Sequence, residues 1–305
     1  MKRTQLTTSA DMTRAEVDFF IEEAESLRGK NTDDLKGKIV ATLFLEPSTR
    51  TRLSFEAAAH RLGASVITIA DPKTSSVSKG ETLADTIRVV EKYADIIVMR
   101  HPTAGAAEEA VKYTKKPFLN AGDGPNQHPT QSLLDIYTIK REVGGIDGKT
   151  IAFVGDLKYG RTVHSLTYIL CLFKPKKIIF ISPRELKVPE KYTEMLKEKG
   201  IEFEETSDLD SKMPEIDVIY MTRIQQERFE SEAEYVKLKG SYIMTSKTVK
   251  LGKESLRILH PLPRVDEITS EVDDMPQSAC FRQVENGVYM RMALLKHLSN
   301  NYYQK

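Results

Sequence analysis

Short apolar runs of strand length alternate with amphipathic stretches along most of this sequence, and that alternation leaves few folds open. Ile39–Leu45 is such a run. A strand covered on both faces reads this way, as in a parallel sheet. Val66–Ile69, Ile96–Met99, Ile151–Val154, Ile178–Ile181 and Val218–Met221 are of the same kind. Helical patterns lie between them, for example Leu83–Tyr93, Leu133–Val143 and Val163–Leu172. Strand followed by helix, repeated, spells βαβ units and doubly wound sheets. The opening helix is marked most clearly. Thr13 and Glu16 have capping-box spacing, Val17, Phe20, Ile21, Ala24 and Leu27 recur at helical spacing, and Gly29 closes the segment.

A chain of 305 residues is long enough for its core to split. The break falls at Gly144-Gly145-Ile146-Asp147-Gly148, after which the pattern restarts at Lys149 as it began at Gly37-Lys38. The expectation is an α/β protein of two doubly wound domains with parallel sheets, linked by helices. The first covers 1–132 and the second 133–287, with a last helix, 288–305, packing back on the first.

Basic and acidic residues number 45 and 44, which argues against a nucleic-acid partner. An anion bound here must meet a local cluster of cations rather than a global field. Cys171 and Cys280 cannot make a disulfide framework, and Cys171, in an apolar run, reads as a small buried thiol. The start, Met1-Lys2-Arg3-Thr4-Gln5, has no apolar signal core. No apolar run approaches the ~20 residues of a membrane span. The expectation is a cytoplasmic protein with no membrane partner.

Several polar segments sit where chemistry is expected. Glu46-Pro47-Ser48-Thr49-Arg50-Thr51-Arg52 follows an apolar strand and opens a helix. Hydroxyls, guanidinium forks and free helix N–H groups suit a phosphate dianion; a plain N-cap explains the same serine and threonine. Ser75 to Thr82, with Lys79, reads in isolation as a solvated loop. Arg100-His101 follows a strand, where open α/β sheets bind ligands. Asn126-Gln127-His128-Pro129-Thr130-Gln131 places His128 and Gln131 at a helix entrance, Pro129 suiting the first helical position. His128 there can hydrogen-bond a carbonyl oxygen or merely the backbone.

Gly155-Asp156-Leu157-Lys158-Tyr159-Gly160-Arg161-Thr162 nearly matches a phosphate-binding P-loop, but arginine stands where lysine is required. A nucleotide-binding module is the rival reading of that segment. Thr222-Arg223-Ile224-Gln225 again follows a strand, and His260-Pro261-Leu262-Pro263-Arg264 is stiffened by its prolines. No metal-ligand spacing occurs, so neither a metal nor a cofactor is expected. Arginine recurs at the strand ends. A cleft of arginines and hydroxyls with one histidine suits substrates carrying phosphate and carboxylates.

Ser48-Thr49-Arg50-Thr51-Arg52 with Ser54-Phe55-Glu56, followed by His128-Pro129-Thr130-Gln131, resembles the two signatures of the carbamoyltransferase family, over nearly the whole chain. Arg161, Arg223, Gln225 and the His260-Pro261-Leu262-Pro263-Arg264 loop are similar to its aspartate branch. The ornithine branch carries a cysteine where Pro261 stands. Two arginines would also repel a cationic acceptor.

The resemblance implies that carbamoyl phosphate and L-aspartate are the substrates. Ser48, Thr49, Arg50, Thr51 and Arg100 would hold the phosphate, and Thr51, Arg100 and His128 the carbonyl oxygen. Gln131 and the carbonyls of Pro261 and Leu262 would meet the carbamoyl amine. Arg161, Arg223, Gln225, Leu262 and Lys79 would bind aspartate. It further implies a homotrimer with shared sites, Ser75 and Lys79 reaching the carbamoyl phosphate from a neighbour and Lys79 also counting as catalytic, and leaves room for a separate regulatory chain. Glu46 and Arg228 would orient arginines. A carbamoyltransferase for another amine acceptor is the alternative within the family.

Overall fold

The structure is a computed structural model that describes residues 2–71, 73, 76–224 and 231–303. It divides into two compact units, Met1–Leu134 with Glu285–Lys305, and Asp135–Val284. In chain order the first part holds β1 (Gln5–Leu6), α1 (Arg14–Ser26), β2 (Ile39–Phe44), α2 (Thr49–Arg61), β3 (Ser65–Ile69), α3 (Leu83–Tyr93), β4 (Ile96–His101), α4 (Ala106–Ala110), β5 (Phe118–Asp123) and α5 (Pro129–Val143). There follow β6 (Thr150–Val154), α6 (Arg161–Leu170), β7 (Lys177–Ile181), α7 (Glu190–Glu198), β8 (Phe203–Thr206), α8 (Leu209–Lys212) and β9 (Val218–Met221). The last elements are α9 (Glu232–Leu238), α10 (Ser246–Val249), β10 (Arg257–Leu259) and α11 (Cys280–Tyr303). The chain passes between the units within α5 and again within α11. No helix among the described residues is long and apolar enough to cross a membrane.

Each unit is built on a five-stranded sheet in which every paired neighbour is parallel. The α/β expectation is borne out, and packing explains the unbroken apolar runs. Ala41, Leu43, Ile97 and Met99 face one layer with Ile87 and Val90 of α3. The alternate residues Val40, Phe44, Ile96 and Val98 are buried as well. Ala152, Val154, Ile179, Ile181, Ile219 and Met221 do the same in the second unit. Burying one such side chain stabilises by about 1.5–3 kcal/mol relative to leaving it exposed. The Thr13–Glu16 capping box forms as read, with each side chain accepting from the other's backbone N–H. β3 departs from its apolar sequence. It has a neighbour on one side only, and Ile67 remains exposed. Cys171 is likewise half-buried rather than buried, because it follows α6 at the C-cap.

Strand order places the loops that matter. The first sheet runs β1-β5-β4-β2-β3 and the second β10-β9-β6-β7-β8. The chain winds outward from β2 to β3, then returns to add β4 on the other side. It does the same from β6 through β8, returning to β9. Each sheet therefore has a switch point, β2/β4 in one and β6/β9 in the other. The loops leaving the carboxyl ends of the two strands part there and open a crevice for ligands.

Candidate active site

At the first switch point the segment after β2 runs straight into α2. Ser48 is the N-cap, yet its side chain caps nothing, and the first turn has no acidic residue. Thr13, Thr82, Asp208 and Thr245, by contrast, all cap the helices they precede. A plain capping role for Ser48 is therefore set aside. Arg50 and Arg52 lie in the first turn, where cations oppose the helix dipole. Such a helix start is poised for an anion: first-turn N–H groups, an unused Ser48 hydroxyl, guanidinium groups. Arg50 and Thr49 are exposed, Ser48 is half-buried and Thr51 is buried. Behind them, Arg291 of α11 donates to Ser54 Oγ at 2.9 Å and lies over the Phe55 ring, which fixes α2.

Arg100, at the end of β4, supplies the facing cation. Its Nε meets Glu46 Oε2 at 2.8 Å and its Nη1 donates to the Ala121 carbonyl at 3.5 Å, so the guanidinium is fixed in orientation. His101 beside it is held below its ordinary pKa by burial, and its Nδ1 accepts from the Thr103 N–H at 3.0 Å. The loop from β5 to α5 is knotted on a residue the sequence reading missed, Asp123. Its buried carboxylate accepts from Asn120 Nδ2 and the Gln127 N–H through one oxygen. The other oxygen takes Asn126 Nδ2 and the Gly105 N–H, all at 3.0–3.1 Å. Gly124 (φ +55) is required because a Cβ there would stand 2.5 Å from the Pro102 carbonyl. This knot presses the His128 loop onto the loop after β4. His128 is buried and its carbonyl accepts from the Gln131 and Ser132 N–H groups, starting α5. Gln131 is buried in the first turn.

Lys79 is exposed at the end of a short 3-10 turn, Ser76–Lys79. Ser75 lies outside the described residues.

The second switch point repeats the design. Gly155 (φ +113) ends β6 where a Cβ would stand 2.4 Å from the Thr222 carbonyl, so the loops after β6 and β9 run in contact. Asp156, fully buried, accepts from the Tyr159 N–H at 3.0 Å. A Cβ on Gly160 would lie 2.5 Å from the Asp156 carbonyl, so the loop closes on itself. Arg161 then leads α6, whose N-cap is Gly160, with no side-chain cap and no acid in its first turn. Arg223 follows β9 after one residue, Thr222, and is half-buried. Gln225 and Arg228 lie outside the described residues. The loop after β10 carries Pro261 and Leu262, with a cis Leu262–Pro263 bond and Leu262 at φ +56. Arg264 is paired with Asp273 through both nitrogens.

His164 holds the β6 loop from below. Its Nε2 donates to the Leu157 carbonyl at 3.0 Å, and its ring stacks on Tyr192 at 4.5 Å. Burial depresses its pKa from 6.5 to about 4. The unfolded chain therefore binds a proton that the folded one refuses between these values, and stability falls as pH drops from about 6.5 to about 4. One pKa unit is about 1.36 kcal/mol, so the loss is on the order of 3 kcal/mol. Urea unfolding across this range should show that fall, and His164→Gln should show a shallower one from a lower starting stability. Equal slopes would assign the acid sensitivity elsewhere.

Residues 4–141 match the family described as aspartate/ornithine carbamoyltransferase, carbamoyl-P binding domain, and residues 147–298 match its Asp/Orn binding domain. The chain belongs to the aspartate/ornithine carbamoyltransferase family. It is 54% identical over 290 residues to the aspartate carbamoyltransferase catalytic subunit of Thermococcus gammatolerans, covering 93% of this chain and 94% of that protein. Among solved structures, it resembles the catalytic subunit of Methanocaldococcus jannaschii aspartate transcarbamoylase. The TM-score is 0.90 and the identity 52%, covering 97% of this chain and 98% of that one. It also resembles Trypanosoma cruzi aspartate transcarbamoylase in complex with carbamoyl aspartate and phosphate, with TM-score 0.91 and identity 41%, covering 96% and 95%. The resemblance read from the signature segments is thus borne out at the level of the family.

Proposed function

We propose that this protein transfers the carbamoyl group of carbamoyl phosphate to the amine of L-aspartate, giving N-carbamoyl-L-aspartate and phosphate. The observation that carries the reading is the pair of helix starts without a side-chain cap and with arginine in the first turn, α2 with Arg50 and α6 with Arg161. Each stands at a switch point with a second arginine, Arg100 near the end of the returning strand or Arg223 just past it. One pair suits a phosphate, the other a dicarboxylate.

The reaction begins with aspartate's neutral amine attacking the carbamoyl carbon. The new N–C bond forms a tetrahedral oxyanion, the C–O bond to phosphate then breaks, and phosphate leaves with the electron pair. Ser48, Thr49, Arg50, Thr51 and Arg100 hold the phosphate. Arg100, His128 and Thr51 stabilise the oxyanion where it develops, the dominant contribution in acyl transfer. Gln131 and the carbonyls of Pro261 and Leu262 accept from the carbamoyl amine, with Leu262 also reaching aspartate. Arg161, Arg223 and Gln225 bind the aspartate carboxylates. The leaving phosphate takes the amine's proton, so no side chain is assigned as base. Much of the rate comes from holding two small anions in one geometry.

Lys79 and Ser75 are assigned to a neighbouring copy in a cytoplasmic homotrimer. An exposed apolar edge is a liability unless covered. Ile67 on edge strand β3 and Leu53 on α2 are such exposed apolar residues, which supports the reading. A separate regulatory chain is compatible with it.

The test is product formation from carbamoyl phosphate with L-aspartate or L-ornithine offered separately. Carbamoyl-aspartate alone is expected. Citrulline would keep the phosphate half of the site and overturn the acceptor half.

A further inference from the structure

The loop that carries Pro261 and Leu262 is held by a buried chain of hydrogen bonds lying wholly within the second unit. Tyr220 Oη donates to Asp135 Oδ2 at 2.7 Å, and Gln283 Nε2 donates to Asp135 Oδ1 at 2.6 Å. Gln283 Oε1 accepts from the His260 N–H at 2.9 Å, anchoring the start of the loop to α11. The His260 ring then does two things at once. Its Nδ1 accepts from the Leu262 N–H at 2.8 Å, and its Nε2 meets Glu267 Oε1 at 2.7 Å. The second oxygen of Glu267 accepts from the Val265 and Asp266 N–H groups at 3.1 and 3.2 Å. One side-chain pair thus ties both ends of the 261–264 loop together.

The chemistry of this pair leaves one assignment. A backbone N–H can only donate, so Nδ1 must be the acceptor and the proton must sit on Nε2. Glu267 is then the carboxylate that accepts it, and its pKa lies below the ordinary carboxylate range, the His260 hydrogen bond and its backbone donors outweighing burial. His260 and Glu267 are both buried, so water cannot substitute for either partner. Leu262 is the only non-glycine at positive φ among the described residues, at +56. A leucine stays there only where its surroundings over-determine it. The single side-chain bond to its N–H is the one from His260.

We propose that His260, locked as the Nε2–H tautomer by Glu267, is the positioning residue that aims the Pro261 and Leu262 carbonyls at the carbamoyl amine, and so makes the site select a carbamoyl donor over an isosteric acetyl donor. This rests on the carbamoyl-transfer reading above. A carbonyl that accepts from an NH₂ group has nothing to gain from a methyl group in its place. When the carbonyl direction is lost, only the donor that uses it suffers.

The experiment compares the KM for carbamoyl phosphate with the inhibition constant of acetyl phosphate, both read in carbamoyl-aspartate formation. In His260→Ala the KM should rise about tenfold, the value of a lost hydrogen bond, while the acetyl phosphate constant stays within about twofold of the parent's. Asn at 260 offers an oxygen near the place of Nδ1, so His260→Asn should hold the KM within about threefold. A structural defect would raise both constants together. That result, or no change in either, in folded His260→Ala overturns the proposal. Should His260→Ala fail to melt cooperatively, His260→Asn decides alone, and a joint rise in both constants counts against His260. A parent protein that makes no carbamoyl-aspartate instead sinks the functional reading, before any variant is compared.

Discussion

Arg100→Ala is expected to lower kcat/KM by about 10²–10³-fold while the protein keeps its melting temperature. The guanidinium is assigned two tasks, a phosphate contact and the oxyanion. Loss of one preorganised oxyanion donor alone typically costs this much. Glu46 makes the case sharper. It holds Nε at 2.8 Å, so the fork enters the reaction already oriented and needs no reorganisation when charge develops. Glu46→Gln keeps an oxygen acceptor and loses the charge, so its activity should fall about tenfold, well short of the Arg100 effect. Arg100→Lys should recover little, because an ammonium cannot hold Glu46 and the substrate's oxygens through separate edges. Steady-state assays with both substrates saturating, then limiting, would check this. An Arg100→Ala protein working within tenfold of its parent would remove Arg100 from the reaction.

The strands buried on both faces were legible because burial leaves an unbroken apolar run, and Ile39–Leu45 or Val218–Met221 could hardly be read otherwise. β5 was missed, since Asn120 and Asp123 interrupt its apolar run, and their polarity serves the loop knot instead of the core. β8 and β10 were missed because they are short, and β8 carries Glu204 and Glu205 at a sheet edge. Arg50, Arg100, Arg161 and Arg223 could be picked out because each follows a readable strand closely. Asp123 could not, because its work is done on backbone N–H groups far along the chain, such as that of Gly105, with no spacing rule to announce it. His260 shows the same limit. The sequence displays its proline-rich loop, but the partner that fixes its tautomer, Glu267, is known only once the loop has closed.

Arg161→Ala and Arg223→Ala should each raise the KM for aspartate by about 10–10²-fold and leave the KM for carbamoyl phosphate within about threefold. Each variant deletes a charge-assisted contact to a carboxylate, worth about 1.5–3 kcal/mol. The two positions are held differently, so the effects should differ in kind. Arg161 leads α6 and is carried on a loop closed by Gly155 and Gly160, where no Cβ fits. Its removal leaves the uncapped helix start behind, which still offers N–H donors to an anion. Arg223 itself lies outside any helix, just past the end of β9, so its own backbone is no helix start and its removal should cost more. Neither variant should accept ornithine, because deleting one cation still leaves the other to repel a cationic side chain. The check is initial rate against aspartate concentration at saturating carbamoyl phosphate, with ornithine in parallel. An aspartate KM unchanged in both variants would move the acceptor site away from the β6/β9 switch point, and a carbamoyl phosphate KM that rose equally would make the arginines part of a shared anion pocket rather than the acceptor's own.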